Sequence, residues 1–134
     1  MKRKRHDRRP SLAAGSSKQG ARVSGRIWIA KGKDTVLGWG RVALLERIRE
    51  HGSISAAARS MGMGYRHAWD LVDDMNRTCP RPLVRKTVGG PGGGGAELTP
   101  AGETVIARWW KLVDGFSEWL SDQEPRLWKE EGEK

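Results

Sequence analysis

The chain has 134 residues, a formal net charge of +9 and a single cysteine, which allows one domain with its own hydrophobic core but no intramolecular disulfide. The basicity is lopsided: residues 1 to 26 hold nine Lys/Arg against one Asp and the remainder 16 against 15, so the isoelectric point says little about the folded part. His6, His51 and His67 lack zinc-ligand spacing, no apolar run approaches the roughly 18 residues of a membrane span, and the N-terminus lacks the apolar stretch of a secretory signal, which leaves a cytoplasmic protein without a metal or cofactor site as the expectation.

Residues 1 to 24, beginning MKRKRHDRRP, are too polar and too poor in apolar side chains to bury themselves and are expected to be a disordered basic tail. Such a run can hold phosphates without reading bases, or simply remain solvated. From Gly25 to Lys31 the alternation predicts a strand with Ile27 and Ile29 inward and Arg26, Trp28 and Ala30 on the other face. A turn over Lys31 to Asp34 and a second short strand over Thr35 to Leu37 follow. Val42, Leu45 and Ile48 then recur at helical spacing, with Arg41, Glu46, Arg47, Arg49 and Glu50 outside, and His51-Gly52 stops that helix.

Gly52 to Asn76, GSISAAARSMGMGYRHAWDLVDDMN, is the stretch around which the rest is organised. Ser53 or Ser55 can cap a helix that Ala56, Ala57 and Ala58 propagate, and three small side chains allow a close helix crossing. Gly62 ends that helix, where a positive φ costs nothing. After Gly64, Ala68, Val72 and Met75 make one buried face at i, i+4 and i+7, and Arg66, His67, Asp70, Asp73 and Asp74 fall largely opposite. One helix packs and the next, over 64–78, is offered to a groove, the pattern of a helix-turn-helix. A plain helical hairpin shares the alanines and the glycine turn.

RTCPRP, Arg77 to Pro82, cannot continue the second helix. Val84, Lys86 and Val88 then alternate against Arg85 and Thr87, and the glycines of Gly89 to Gly95 lead to Ala96, Glu97 and Leu98: a β-hairpin with a glycine tip. A phosphate-cradling loop would need a GK[ST] ending and a helix directly after it, which are missing. Carrying Arg85 and Lys86, this hairpin would be the wing of a winged helix. Thr99 and Pro100 start the last helix as cap and first residue. It carries two adjacent apolar stripes, Val105, Trp109, Leu112, Phe116 and Trp119, and Ile106, Trp110, Val113 and Leu120. One stripe packs a surface helix on its own domain; two ask for a second covering surface, expected here to be the mate in a homodimer, with the chain's own N-terminal strand as the other possibility. Residues 123–134 are expected to form a charged, frayed end, with Leu127 and Trp128 as the two side chains in it able to dock.

In this order the elements resemble the N-terminal DNA-binding domain of the ModE family of molybdate-responsive transcription regulators, related in turn to the winged helices of LysR-type regulators. The likeness spans residues 25–122 and is carried by GSISAAA from Gly52, GYRHAWD from Gly64, DDMN from Asp73, LVRKTVGGPGGGG from Leu83 and LTPAG from Leu98. It implies a mainly α fold with a small β hairpin, a winged helix-turn-helix, a long C-terminal helix at a dimer interface, double-stranded DNA as partner, and control of genes for molybdate or tungstate uptake or use. The family's paired β-rich oxyanion modules would follow the DNA-binding domain, where this chain ends, so direct molybdate binding is not expected of it. The chain also departs from the family in having Pro91 at the wing tip, where a basic residue is usual, and Gly64 in place of a serine cap.

The candidate DNA contacts are Tyr65, Arg66, His67 and Asp70 toward base edges, with Arg66 best suited to a bidentate guanine contact. Ser53, Ser55 and Arg59 would lie near one backbone, and Arg85 and Lys86 near the other. Trp69 is expected to pack, and Asp73 and Asp74 to pair with Arg77. The expected dimer contacts are Val105, Trp109, Trp110, Leu112, Phe116 and Trp119. A winged-helix adaptor that contacts protein through its tryptophan-rich helix is the alternative. Catalysis is not expected, because Cys79 has no histidine near it in sequence and His67 no recognisable partner.

Overall fold

A computed structural model describes residues 22–88, 94–130 and 132. It runs β1 (Ile29–Lys31), β2 (Asp34–Leu37), α1 (Trp39–His51), α2 (Ile54–Ser60), α3 (Tyr65–Thr78), β3 (Val84–Thr87), β4 (Gly95–Leu98) and α4 (Pro100–Leu127). The expected basic tail up to residue 21 and the wing tip at 89–93, with Pro91, lie outside the described residues. Two compact units divide the chain: Trp28–Trp109, and the residues up to Ile27 with those from Trp110 onward.

In the first unit, β1 and β2 pair antiparallel around a turn in which Gly32 takes a φ of 63°. The strand is shorter than the alternation predicts, and Ile29 is 41% exposed instead of inward. The register shifts between Ile29 and Ala30, and a bulge of this kind breaks the two-residue period on which the prediction rested.

The core centres on α1, where Val42, Leu44, Leu45 and Ile48 are sealed and are joined by Met75 of α3 and by Leu83. Glu46 and Arg47, expected outside, are buried. Both α2 and β4 pack on α1, so more than one face is covered. Arg47 Nη1 donates to the Ser60 carbonyl (3.1 Å) and hydroxyl (2.9 Å), which places a buried cation at the last carbonyls of α2. Gly52 ends α1 with a φ of 74° and a bond from its N–H to the Ile48 carbonyl (2.8 Å).

Ser53, not Ser55, caps α2: its hydroxyl oxygen accepts from the Ala56 N–H at 3.0 Å. The C-terminus closes with Met63 N–H to Ala58 O (2.9 Å) and Gly62 N–H to Arg59 O (3.1 Å), Gly62 having a φ of 64°. That pair of bonds is a Schellman motif, which turns the chain sharply between α2 and α3. On α3, Ala68, Val72 and Met75 are buried as the spacing predicts.

The wing strands pair Val84 with Leu98 through Thr87 with Gly95. Val84 is buried, whereas Val88, which shares its alternation, is fully exposed beyond the end of β3. The hairpin is tied to α1–α2 by a bond from the Ala96 N–H to the Gly52 carbonyl (2.9 Å).

Thr99 caps α4 by accepting from the Gly102 N–H (3.0 Å), and its hydroxyl donates to the Pro82 carbonyl (2.7 Å). Gly102 meets the chain from below: a Cβ there would sit 2.3 Å from the Leu83 carbonyl oxygen, so no other residue fits without backbone movement. The helix continues to Leu127, past the expected end near residue 122, and carries Pro125 within its last turn. In the second unit, Phe116 and Trp119 stack with centroids 6.5 Å apart, and the Trp128 indole N–H donates to the buried Glu124 carboxylate. Leu127 and Trp128 do not dock; both are exposed, at the C-terminal end of the helix. No helix among the described residues is long and apolar enough to cross a membrane.

Candidate nucleic-acid interface

The face of α3 opposite Ala68, Val72 and Met75 presents Tyr65, Arg66, His67 and Asp70 to solvent. These four share the first two turns of the helix, as the spacing predicts. The Arg66 side chain is 90% exposed; its Nε lies 3.7 Å from Asp70 Oδ1 one turn on. At that separation and exposure the pair is worth well under about 1 kcal/mol, so the guanidinium fork is free to turn to another acceptor. Arginine is suited to the O6 and N7 of a guanine edge, and a carboxylate can accept from the cytosine amino group.

The acidic groups further along α3 are paired with arginines. Asp74 accepts from Arg41 Nη1 of α1 at 2.5 Å and from Arg77 Nη2 at 2.9 Å, and Arg77 Nε also reaches Asp73 at 3.4 Å. The expected pairing with Arg77 is present; the bond from Arg41, which joins α1 to α3, was not foreseen. It lies beside the Cys79 thiol, whose pKa is raised chiefly by burial, with Arg41 opposing and Asp74 adding to the rise.

The wing is fixed to α3 in two places. Asn76 Oδ1 accepts from the N–H groups of Leu83 (2.8 Å) and Val84 (3.2 Å), and its Nδ2 donates to the Val84 carbonyl (3.0 Å), so one side chain satisfies the backbone where β3 begins. Lys86 Nζ then lies 4.2 Å from the centroid of the half-buried Trp69 ring, a cation–π contact from wing to helix. Arg85 Nε bonds Glu97 Oε2 directly across the hairpin at 2.6 Å. Both predicted wing cations thus have partners within the domain. Asn76 is the contributor that spacing could not identify: in the sequence it is a polar residue shortly before Pro80, and only the fold brings β3 to it.

Of the residues expected near the other DNA strand, Ser53 is committed as the α2 cap, and Ser55 accepts from the exposed Arg59 Nη1 at 3.2 Å. The apolar contacts expected on α4 divide. Trp109 and Trp110 are buried in the chain itself, at 2% and 8% exposure, and Val105 and Phe116 are half-buried. Leu112 (49%) and Trp119 (57%) stay open.

Residues 39–103 match the bacterial regulatory helix-turn-helix proteins of the LysR family, a segment that runs from the first residue of α1 to the first turn of α4. This segment is a DNA-binding helix-turn-helix domain of the LysR type, related to the ModE regulators. The molybdenum-pterin-binding protein MopB of Rhodobacter capsulatus is 48% identical over 91 residues, 68% of this chain and 34% of its own length. The molybdenum transport protein ModE of Azotobacter vinelandii is 39% identical over 93 residues, covering 69% and 34%. The DNA-binding transcriptional dual regulator ModE of Escherichia coli (strain K12) is 44% identical over 66 residues, covering 49% and 25%. The chain thus spans about a third or less of the length of these relatives, matching their helix-turn-helix part. The match assigns the domain to DNA binding and not to catalysis.

Proposed function

We propose that this chain is a cytoplasmic transcriptional regulator that binds a specific double-stranded DNA site as a homodimer and controls genes of molybdate or tungstate uptake or use. The observation that carries the DNA part is the exposed row Tyr65, Arg66, His67 and Asp70 on a helix whose other face is locked into the core. In this reading α3 enters the major groove and Arg66 reads a guanine. Arg59 and Ser55 approach one backbone and the wing the other, with Arg85 and Lys86 released toward phosphates from their partners within the domain.

The dimer is formed by the open part of the α4 stripe. Leu112, Phe116 and Trp119 recur at i, i+4 and i+7, and two of the three are large apolar side chains about half exposed, which water does not favour. The molybdate assignment rests on the names of the relatives alone, and oxyanion binding is not proposed for this polypeptide.

Fluorescence anisotropy on promoter fragments tests this reading. With excess nonspecific competitor, Arg66→Ala is expected to weaken binding to the preferred site by about 1 to 3 kcal/mol while leaving nonspecific binding nearly unchanged. Equal losses on all sequences, or no loss, would refute base reading by α3. Leu112→Glu with Trp119→Glu is expected to give a monomer in sedimentation analysis.

A further inference from the structure

Away from the α3 face, the Trp28–Trp109 unit contains an apolar groove of about 550 Å³. Val36 and Leu37 of β2 line it with Cys79, Leu83, Pro100 and Val105, so three parts of the fold contribute. Its volume falls within the range of roughly 300 to 1,000 Å³ typical of small-molecule sites. The exposed Arg81 and Arg108 also line it, and neither has an ion-pair or hydrogen-bond partner among the described residues. No aspartate or glutamate lines the groove, and burial keeps the Cys79 thiol protonated there.

Two guanidiniums of like charge therefore line one greasy concavity, and the carboxylate beside Cys79, Asp74, is already paired with Arg41 and Arg77. A carboxylate offers either of them a planar acceptor that arginine matches bidentately. A duplex phosphate supplies the charge but has no use for the apolar walls; an apolar molecule fills the walls but leaves the charges unanswered. A ligand that does both has an apolar body and one carboxylate.

We propose that this groove binds a small amphipathic carboxylate, with its body against Val36, Leu37, Leu83 and Val105 and its carboxylate on Arg81 or Arg108. The site is independent of DNA recognition. It adjoins the end of α3, because Cys79 both lines the groove and closes that helix through its N–H to the Met75 carbonyl (2.9 Å).

Titration calorimetry on the full chain at neutral pH, with octanoate, octanamide and acetate, tests the assignment. Octanoate is expected to bind once per chain, and the neutral amide and the bodiless acetate about tenfold or more weaker. The Arg81→Ala/Arg108→Ala double variant, at two exposed positions, is expected to lose about tenfold for octanoate and its preference over octanamide. Thr104→Trp places a bulky ring in the groove from an exposed helix position and is expected to block octanoate without lowering the melting temperature. The proposal is overturned if octanoate fails to bind, if it binds no better than octanamide, or if either variant binds it like wild type. It is equally overturned if Thr104→Trp converts a dimer to a monomer in sedimentation analysis, since the groove would then hold a second copy.

Discussion

Asn76→Ala tests whether one side chain sets the wing against α3. The substitution removes three hydrogen bonds, to the Leu83 and Val84 N–H groups and the Val84 carbonyl, at a half-buried position. At about 1 kcal/mol net each, and with backbone groups left without the protein partner they had, the loss of stability comes to about 2 to 3 kcal/mol. Asn76→Asp keeps the acceptor for both N–H groups and strengthens it by charge, but sets its other carboxylate oxygen against the Val84 carbonyl, so it should cost less than alanine, about 1 to 2 kcal/mol. Urea denaturation followed by tryptophan fluorescence measures both, and the midpoint should shift with an unchanged m-value. The reasoning fails if Asn76→Ala lies within about 0.5 kcal/mol of wild type, or if the aspartate variant is as unstable as the alanine one.

Two further substitutions probe single contacts. Gly102→Ala is expected to destabilise by about 2 to 3 kcal/mol in thermal unfolding, because the new Cβ would displace the Leu83 carbonyl and with it the bond from the Thr99 N–H (3.0 Å). Alanine's helix propensity alone would stabilise by about 1 kcal/mol, so the sign of the change identifies the contact. Cys79 links stability to alkaline pH. The folded thiol titrates above its ordinary 9.0, so the unfolded state loses its proton first and stability falls as pH rises through 9.0 toward the folded value. Cys79→Val should flatten that part of the stability profile relative to wild type; parallel profiles would show that the thiol plays no part.

The elements legible in the sequence were those whose signals are local. The Ala68, Val72, Met75 face, the glycine turn after α2 and the Thr99-Pro100 start each depend on a few neighbouring residues, and each formed where expected. The misreadings lie where distant parts of the chain decide. Glu46 and Arg47 look like solvated residues on a helical wheel, but α2 and β4 enclose α1, and Arg47 gains the Ser60 carbonyl that no periodicity reveals. Ile29 failed for the reverse reason: a two-stranded hairpin with a bulge gives its side chain no covering layer. Within the candidate interface, exposure on α3 was readable from the buried face behind it. The partners that hold the wing, Asn76 with Leu83 and Val84 and Lys86 with Trp69, join residues 7 to 17 positions apart and needed the fold.

The ion pairs also bear on where nonspecific affinity resides. On and around α3, Arg66 faces Asp70, Arg77 faces Asp73 and Asp74, Arg41 faces Asp74, and on the wing Arg85 faces Glu97. The described interface is therefore nearly self-compensated, whereas residues 1 to 24 hold eight Lys/Arg against one Asp. Counterion release scales with the number of phosphates neutralised, with a slope in log affinity against log salt of about −0.9 for each. Deleting residues 1 to 21 should flatten that slope by several units and lower affinity for all sequences alike. The discrimination lost on Arg66→Ala should remain the same in the shortened chain, because base contacts and phosphate contacts are separate contributions. A slope unchanged by the deletion would place the phosphate contacts wholly on the folded domain, those proposed for Arg85 and Lys86 among them.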